Sequence, residues 1–170
     1  MQDLPRPFLS VAIVCFGGGG CASADQPLEP QELRSGSQEV SFDTVEGANT
    51  LVGGITDRRR LVIDDRKGWV DFWSELYVNI VPRPDPPSID FDKYVVVAAT
   101  MGQRRTGGSA IRIEGIWQVG DKSRVLVIET SPGALCVTIQ ALTAPATAVV
   151  VPRPLGEVEF VEETETGDCG

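Results

Sequence analysis

Residues 102–109 read GQRRTGGS. A phosphate-binding P-loop has the form G-x-x-x-x-G-K-[ST], in which backbone amides cradle the phosphates and the lysine reaches their outer oxygens. Gly102, Gly107 and Ser109 fall in that register, but the lysine position holds Gly108. A P-loop also needs a helix directly after it, so that helix amides and dipole face the anion. Here the next residues, SAIRIEGIWQV (109–119), alternate Ile111 and Ile113 with Arg112 and Glu114, the period of a half-buried strand. The stretch therefore reads as a glycine-rich hairpin connection, its glycines supplying positive φ angles, and not as a nucleotide site.

Other chemistry fares no better. The chain has no histidine, which removes Ser–His and Cys–His pairs and the commonest metal ligand. None of Lys67, Lys93 and Lys122 lies in a Ser-x-x-Lys arrangement, and Asp43-Thr44 is followed by Val45 rather than the glycine of an aspartic protease. Asp64/Asp65 read as a helix cap and Asp90/Asp92 as polar residues at a strand entrance; the D-F-D at 90–92 lacks the later Gly and Glu of a calcium loop. No catalytic, cofactor-binding or metal-binding residue is assigned, no small-molecule substrate is evident, and a non-enzyme is expected. The net charge of −9 repels nucleic acid. Arg58-Arg59-Arg60 and Arg104-Arg105 offer contacts to an acidic partner; charged turns that keep a surface soluble account for them more simply.

The elements that would position such residues begin after an export-type start. FLSVAIVCF (8–16) is an apolar run too short to span a bilayer but suited to a signal-peptide core, and Arg6 precedes it. GGGGC (17–21) and then Ala22-Ser23-Ala24 leave two processing routes open: lipidation of Cys21, or cleavage after Ala24. Gly18 stands where a lipoprotein signal usually has Leu. Residues 1–21 are read as the signal, 22–38 as a flexible tether carrying two prolines, 39–161 as one β domain and 162–170 as a loose acidic tail. After processing, Cys136 and Cys169 remain; in an oxidising compartment they are candidates for a disulfide, against a buried Cys136 and a free Cys169.

One helix is clear. Trp69, Phe72, Trp73, Leu76, Tyr77 and Ile80 form an unbroken apolar face at helical spacing, with Asp64 or Asp65 to cap it and PRPDPP (82–87) to stop it. The face reads as core packing rather than a ligand-stacking platform. EVSFDTV (39–45), RRLVIDD (59–65), YVVVAATM (94–101), 109–119, SRVLVIET (123–130), LCVTIQAL (135–142), TAVVVP (147–152) and EVEFV (157–161) read as strands. Their short connections predict antiparallel hairpins. The fold expected is mainly β with one α-helix: an antiparallel β-sandwich or partly open barrel, the helix packed on the sheet.

The order of features over 69–161 resembles the C-terminal domain of the PrcB family, a subunit of a bacterial surface protease complex. The features are Trp69-x-x-x-Trp73, Asp90-Phe91, a valine-rich strand, G-x-x-x-T-G-G at 102–108, ETSPG at 129–133, QALT at 140–143 and Pro145. The resemblance implies an exported, mostly β, non-catalytic domain that binds another protein. Family members commonly carry an aromatic after T-G-G and another after the later Pro; here Ser109 and Ala146 stand there, which implies a reduced contact surface if those aromatics form one. Contact is expected at the loops, namely Gly102, Arg104, Arg105, Thr106, Gly107, Gly108, Pro132, Gly133 and Pro145. The function expected is a lipid-anchored or secreted module of the bacterial cell envelope that associates with an exported protein such as a protease, touching the membrane only through a lipid anchor. Two alternatives stay open: a protease inhibitor on an immunoglobulin-like scaffold, wedging Thr106-Gly107-Gly108 and Ala144-Pro145-Ala146 into a cleft, and a purely structural envelope protein.

Overall fold

The computed structural model describes residues 36–168. They form β1 (Gln38–Glu39), β2 (Asp43–Thr44), β3 (Arg58–Ile63), α1 (Arg66–Leu76), β4 (Tyr94–Met101), β5 (Ala110–Val119), β6 (Lys122–Pro132), β7 (Ala146–Pro152) and β8 (Glu157–Gly167). The strands build two four-stranded sheets, ordered β1-β5-β6-β8 and β2-β7-β4-β3. This is the expected β-sandwich with one helix on a sheet; neither sheet closes into a barrel. Among the described residues no helix is long and apolar enough to cross a membrane.

Strand periodicity sorts the side chains into three apolar layers. Between the sheets, Val95, Val97, Ala99 and Met101 of β4 and Val149 and Val151 of β7 meet Ile111, Ile113 and Ile116 of β5 and Val125 and Val127 of β6. The alternate residues Val96, Ala98, Ala146 and Ala148 face outward, under Trp69, Phe72, Trp73 and Leu76 of α1. Ala98 pairs with Ala148 across the two strands, making a shallow floor for the large rings. On the far side Trp117, Leu126, Ile128 and Val161 form a third, smaller cluster.

The helix is held at its start by Asp65, whose carboxylate accepts from Gly68 N at 2.7 Å. The polar tips of its aromatic face are spent on backbone carbonyls. Trp69 Nε1 donates to Pro87 O at 3.0 Å, Trp73 Nε1 to Pro84 O at 2.8 Å and the Tyr77 hydroxyl to Gly47 O at 2.5 Å. The proline-rich stretch thus clasps the helix it terminates. The helix stops at Leu76, one turn short of the apolar pattern, because Gly54 N takes the Leu76 carbonyl at 2.8 Å; Ile80 is left exposed.

Several strand expectations change. EVSFDTV is split: β1 pairs with β5 in one sheet and β2 with β7 in the other, while Val40 and Phe42 pack into the inter-sheet core as the chain crosses. The tether reading ends early, since residue 38 already pairs. The pairing is not wholly antiparallel, because β6 and β8 run parallel from Lys122↔Glu157 to Pro132↔Gly167. The chain leaves β6, forms β7 in the opposite sheet and returns, so it re-enters in the same direction. That pairing also recruits 162–167, expected to be loose, into β8. LCVTIQAL is not a strand: it crosses from one sheet to the other, and both sides of β6 are already taken. GQRRTGGS likewise joins β4 in one sheet to β5 in the other, so it is an inter-sheet crossing and not a hairpin. Its Gly102 and Gly108 do adopt positive φ, +73° and +86°.

Replacing Trp73 with Ala removes a fully enclosed ring and its bond to Pro84, and is expected to cost about 3–5 kcal/mol. Val81→Ala, at an exposed side chain, stays within about 0.5 kcal/mol of the parent. Urea unfolding followed by circular dichroism measures both.

Candidate functional site

The loops picked out as contact candidates converge at one end of the sandwich. Arg104 N donates to Thr143 O at 2.7 Å and Thr143 N to Arg104 O at 3.0 Å. The Thr143 hydroxyl donates to Thr106 O at 3.0 Å, Gly107 N to Ile139 O at 3.0 Å and Met101 N to Pro145 O at 2.9 Å. A Cβ on Gly108 would lie 3.2 Å from Pro132 and 3.3 Å from Thr138, so 102–109, 131–133 and 138–145 form one close-packed unit.

Their exposure divides them. Arg105 and Gly108 are exposed, while Arg104, Thr106, Pro132 and Gly133 are half-buried. Gly102, Gly107 and Pro145 are buried, so they shape the loops without presenting surface. Ser109 and Ala146 are buried too, Ala146 beneath α1. Residue size there bears on packing, and the reduced contact surface implied at these two positions does not follow.

Sequence reasoning placed 131–135 among the contact loops but read 135–142 as a strand and so missed the surface it presents. Leu135, Val137, Ile139 and Leu142 are 97%, 102%, 70% and 66% exposed, while Cys136 and Thr138 turn inward. The alternation is that of a strand, but among the described residues no strand pairs with it. Beside its start, Gly133, Leu135, Cys136, Thr166, Gly167 and Asp168 line a cavity of about 520 Å³. Beside its end, Val52, Gly54, Asn79, Gln103, Leu142 and Ala144 line a groove of about 190 Å³. Cys136 is disulfide-bonded. Its Sγ lies 3.7 Å from the Gly167 carbonyl oxygen, two residues before Cys169; Cys169 and Cys21 lie outside the described residues.

Behind this end sits a second missed feature, a cluster of charges between the sheets. Along β6, Val125 and Val127 point into the inter-sheet core, and Glu129 continues that line. Along β8, Glu162 continues the line of Val158 and Phe160. From β3, at the facing edge, come Arg58 and Arg60. Arg58 Nε bonds Glu129 Oε1 at 2.8 Å and its Nη2 bonds Glu162. Arg60 Nη2 bonds Glu129 Oε1 at 2.5 Å, and its Nε lies 2.9 Å from Glu162 Oε1, too poorly aligned for a hydrogen bond. Arg104 Nη2 adds a contact of 3.6 Å to Glu129 Oε2. Arg58, Arg60 and Arg104 are thus committed to an anchor between the sheets, and serve neither as the simple solubilising charges favoured for the arginine runs nor as free cations for a partner. Arg59 turns the other way and bonds Glu75 of α1 at 2.7 Å.

Burial pushes the Glu129 carboxyl upward, but the hydrogen bonds from Arg60 and Arg58, with their charges, prevail and hold it below the ordinary carboxylate range. Glu129 is thereby kept ionised and committed to arginine, which leaves no proton to donate at neutral pH. Asp90 is held low mainly by Lys93, 2.7 Å away on the exposed strand entrance. Among the described residues no group of three or more His, Cys, Asp or Glu is placed to hold a metal ion.

A two-sheet sandwich with a helix on one face and a loop-built end is the class these features define. Residues 95–152 match the family model described as PrcB C-terminal, the family whose motifs the chain resembles. The match spans β4 to β7, two central strands from each sheet, together with both crossings that build the loop end. No curated protein and no solved structure matches the chain.

Glu129→Gln leaves the half-buried Arg60 guanidinium and the exposed Arg58 guanidinium short of charge; with Arg58 screened by solvent, the expected cost is about 1–3 kcal/mol. Because the folded-state carboxyl lies below its unfolded value, its stabilisation is complete above the ordinary range, about pH 4.3 for glutamate. It is lost as pH falls through the folded-state value. The parent therefore loses stability on acidification below about pH 5, and Glu129→Gln shows a flatter profile there, measured by urea midpoints across pH.

Proposed function

We propose that this protein is a non-catalytic binding module of the bacterial cell envelope that associates with another exported protein, a protease being one candidate. The match of 95–152 to the PrcB C-terminal family carries this reading, because it covers the strands and crossings that build the loop end. The side chains support it. The chain has no histidine, and its buried glutamate is neutralised by arginines. What the loop end offers a partner is the shape and exposed face of the 102–109 crossing, with Gln103 and Gly108 at its surface. The inhibitor reading has less support, since Ala144-Pro145-Ala146 is buried and has no wedge to insert. Export rests on the apolar run at 8–16, and anchoring on Cys21. Cys169 is the proposed partner of Cys136.

A photo-crosslinking residue at position 103 or 106, in cells making the full chain, should trap one defined exported protein other than a second copy of this chain. The same residue at 71, on the helix at the opposite surface of its sheet, should not. Equal trapping at all three positions, or none at any, contradicts the reading. Mass spectrometry of the mature protein should find a lipid-modified Cys21 as its first residue; a free terminus at Asp25 rules out the anchor and leaves secretion.

A further inference from the structure

The strip 135–142 differs from the exposed edges that β8 and β3 give the two sheets. β8 borders solvent with Glu157, Glu159 and Glu165, and β3 carries Arg58, Arg59 and Arg60, each held by glutamates. Such charges are the usual guard against edge pairing. Residues 131–152 contain no Asp, Glu, Lys or Arg at all, and four large apolar side chains of the strip project outward. Its backbone is open as well: among the described residues, the N–H groups of 137–142 donate to no backbone carbonyl. Among their carbonyls, only that of Ile139 accepts a backbone N–H, from Gly107.

Charge lies at the two ends of the strip, with opposite signs. At its start, Asp168 lines the same cavity as Leu135 and Cys136. At its close, the Arg104–Thr143 pairing sets Arg105 alongside. Among the described residues neither Asp168 nor Arg105 forms an ion pair. A strip that is apolar in the middle, acidic at one end and basic at the other is complementary to itself when reversed. We propose that 135–142 is a two-fold interface at which a second copy of this chain pairs antiparallel, Arg105 of each copy facing Asp168 of the other. Self-pairing elsewhere meets a chain of net charge −9; at this strip that repulsion is locally absent. A two-fold contact of this kind closes at a dimer and does not propagate.

The test is sedimentation of the purified full chain over about 1–200 µM, a range suited to a small interface. A reversible monomer–dimer equilibrium is expected. Val137→Asp/Ile139→Asp, at exposed positions, should leave the far-ultraviolet spectrum unchanged and the protein monomeric throughout. Arg105→Asp and Asp168→Arg should each weaken the dimer about tenfold, since each creates two like-charge contacts per dimer. The double variant Arg105→Asp/Asp168→Arg should recover most of the affinity. These charge swaps sit on exposed side chains and decide the matter even if the apolar double variant fails to fold. A monomer at every concentration overturns the proposal. So does a dimer indifferent to the strip variants, a double charge swap no better than the singles, or an open ladder of higher oligomers.

Discussion

The centre of the sheet formed by β2, β7, β4 and β3 has no face left for water. β4 sends Val95, Val97, Ala99 and Met101 into the space between the sheets and Val96 and Ala98 beneath α1. β7 does the same with Val149 and Val151 on one side and Ala146 and Ala148 on the other. A strand buried on both faces cannot slip by one residue without exchanging its two environments, here a floor of alanines for a wall of valines. The helix depends on that floor, because only small side chains let Trp69 and Trp73 come close enough for their indole nitrogens to reach the carbonyls of 84 and 87. The opposite sheet depends on the valine wall. Everything else in the fold is attached to these two strands.

The charge cluster follows from the edges. The sheet orders set β3 opposite β8, and the apolar alternation of both ends in charge: Arg58 and Arg60 on one, Glu162 on the other, with Glu129 on β6 beside it. Apolar side chains seal the middle of the sandwich; arginine and glutamate seal this flank. Because Arg104 joins the same cluster, the crossing that carries Arg105, Thr106 and Gly108 is tied to both sheets. The loop end is therefore held by the core, while 134–142, uncharged and without a strand partner, lies on the outside of it.

Much of this was readable from residue order. The helix face, its Asp65 cap, the long strands and the sandwich class follow from periodicity, and the candidate contact loops at 102–109, 131–135 and 143–146 do meet in space. Three things were not legible. The valine and alanine runs say that β4 and β7 are buried, but not which sheet each joins, so two inter-sheet crossings were read as a hairpin and a strand. The parallel return of β8 depends on where β7 goes, a non-local fact. Glu129 was visible as part of ETSPG and lies in phase with Val125 and Val127, a signal that it points inward; what it meets there comes from β3, more than sixty residues away in the chain. The exposed strip was hidden for the opposite reason. Its alternation is that of a strand, and nothing local says that the sheet partner is missing.

A rigid pair of doubly buried strands presents an unpaired strip, and native-state hydrogen exchange reads both at once. In dilute solution, where copies of the chain are separate, the amides of β4 and β7 should exchange only through global unfolding, with the slowest rates in the molecule. The amides of 137–142 should exchange at nearly the rate of an open chain. Protection of 137–142 equal to that of β4, or exchange of β4 and β7 well below the global unfolding free energy, contradicts this arrangement.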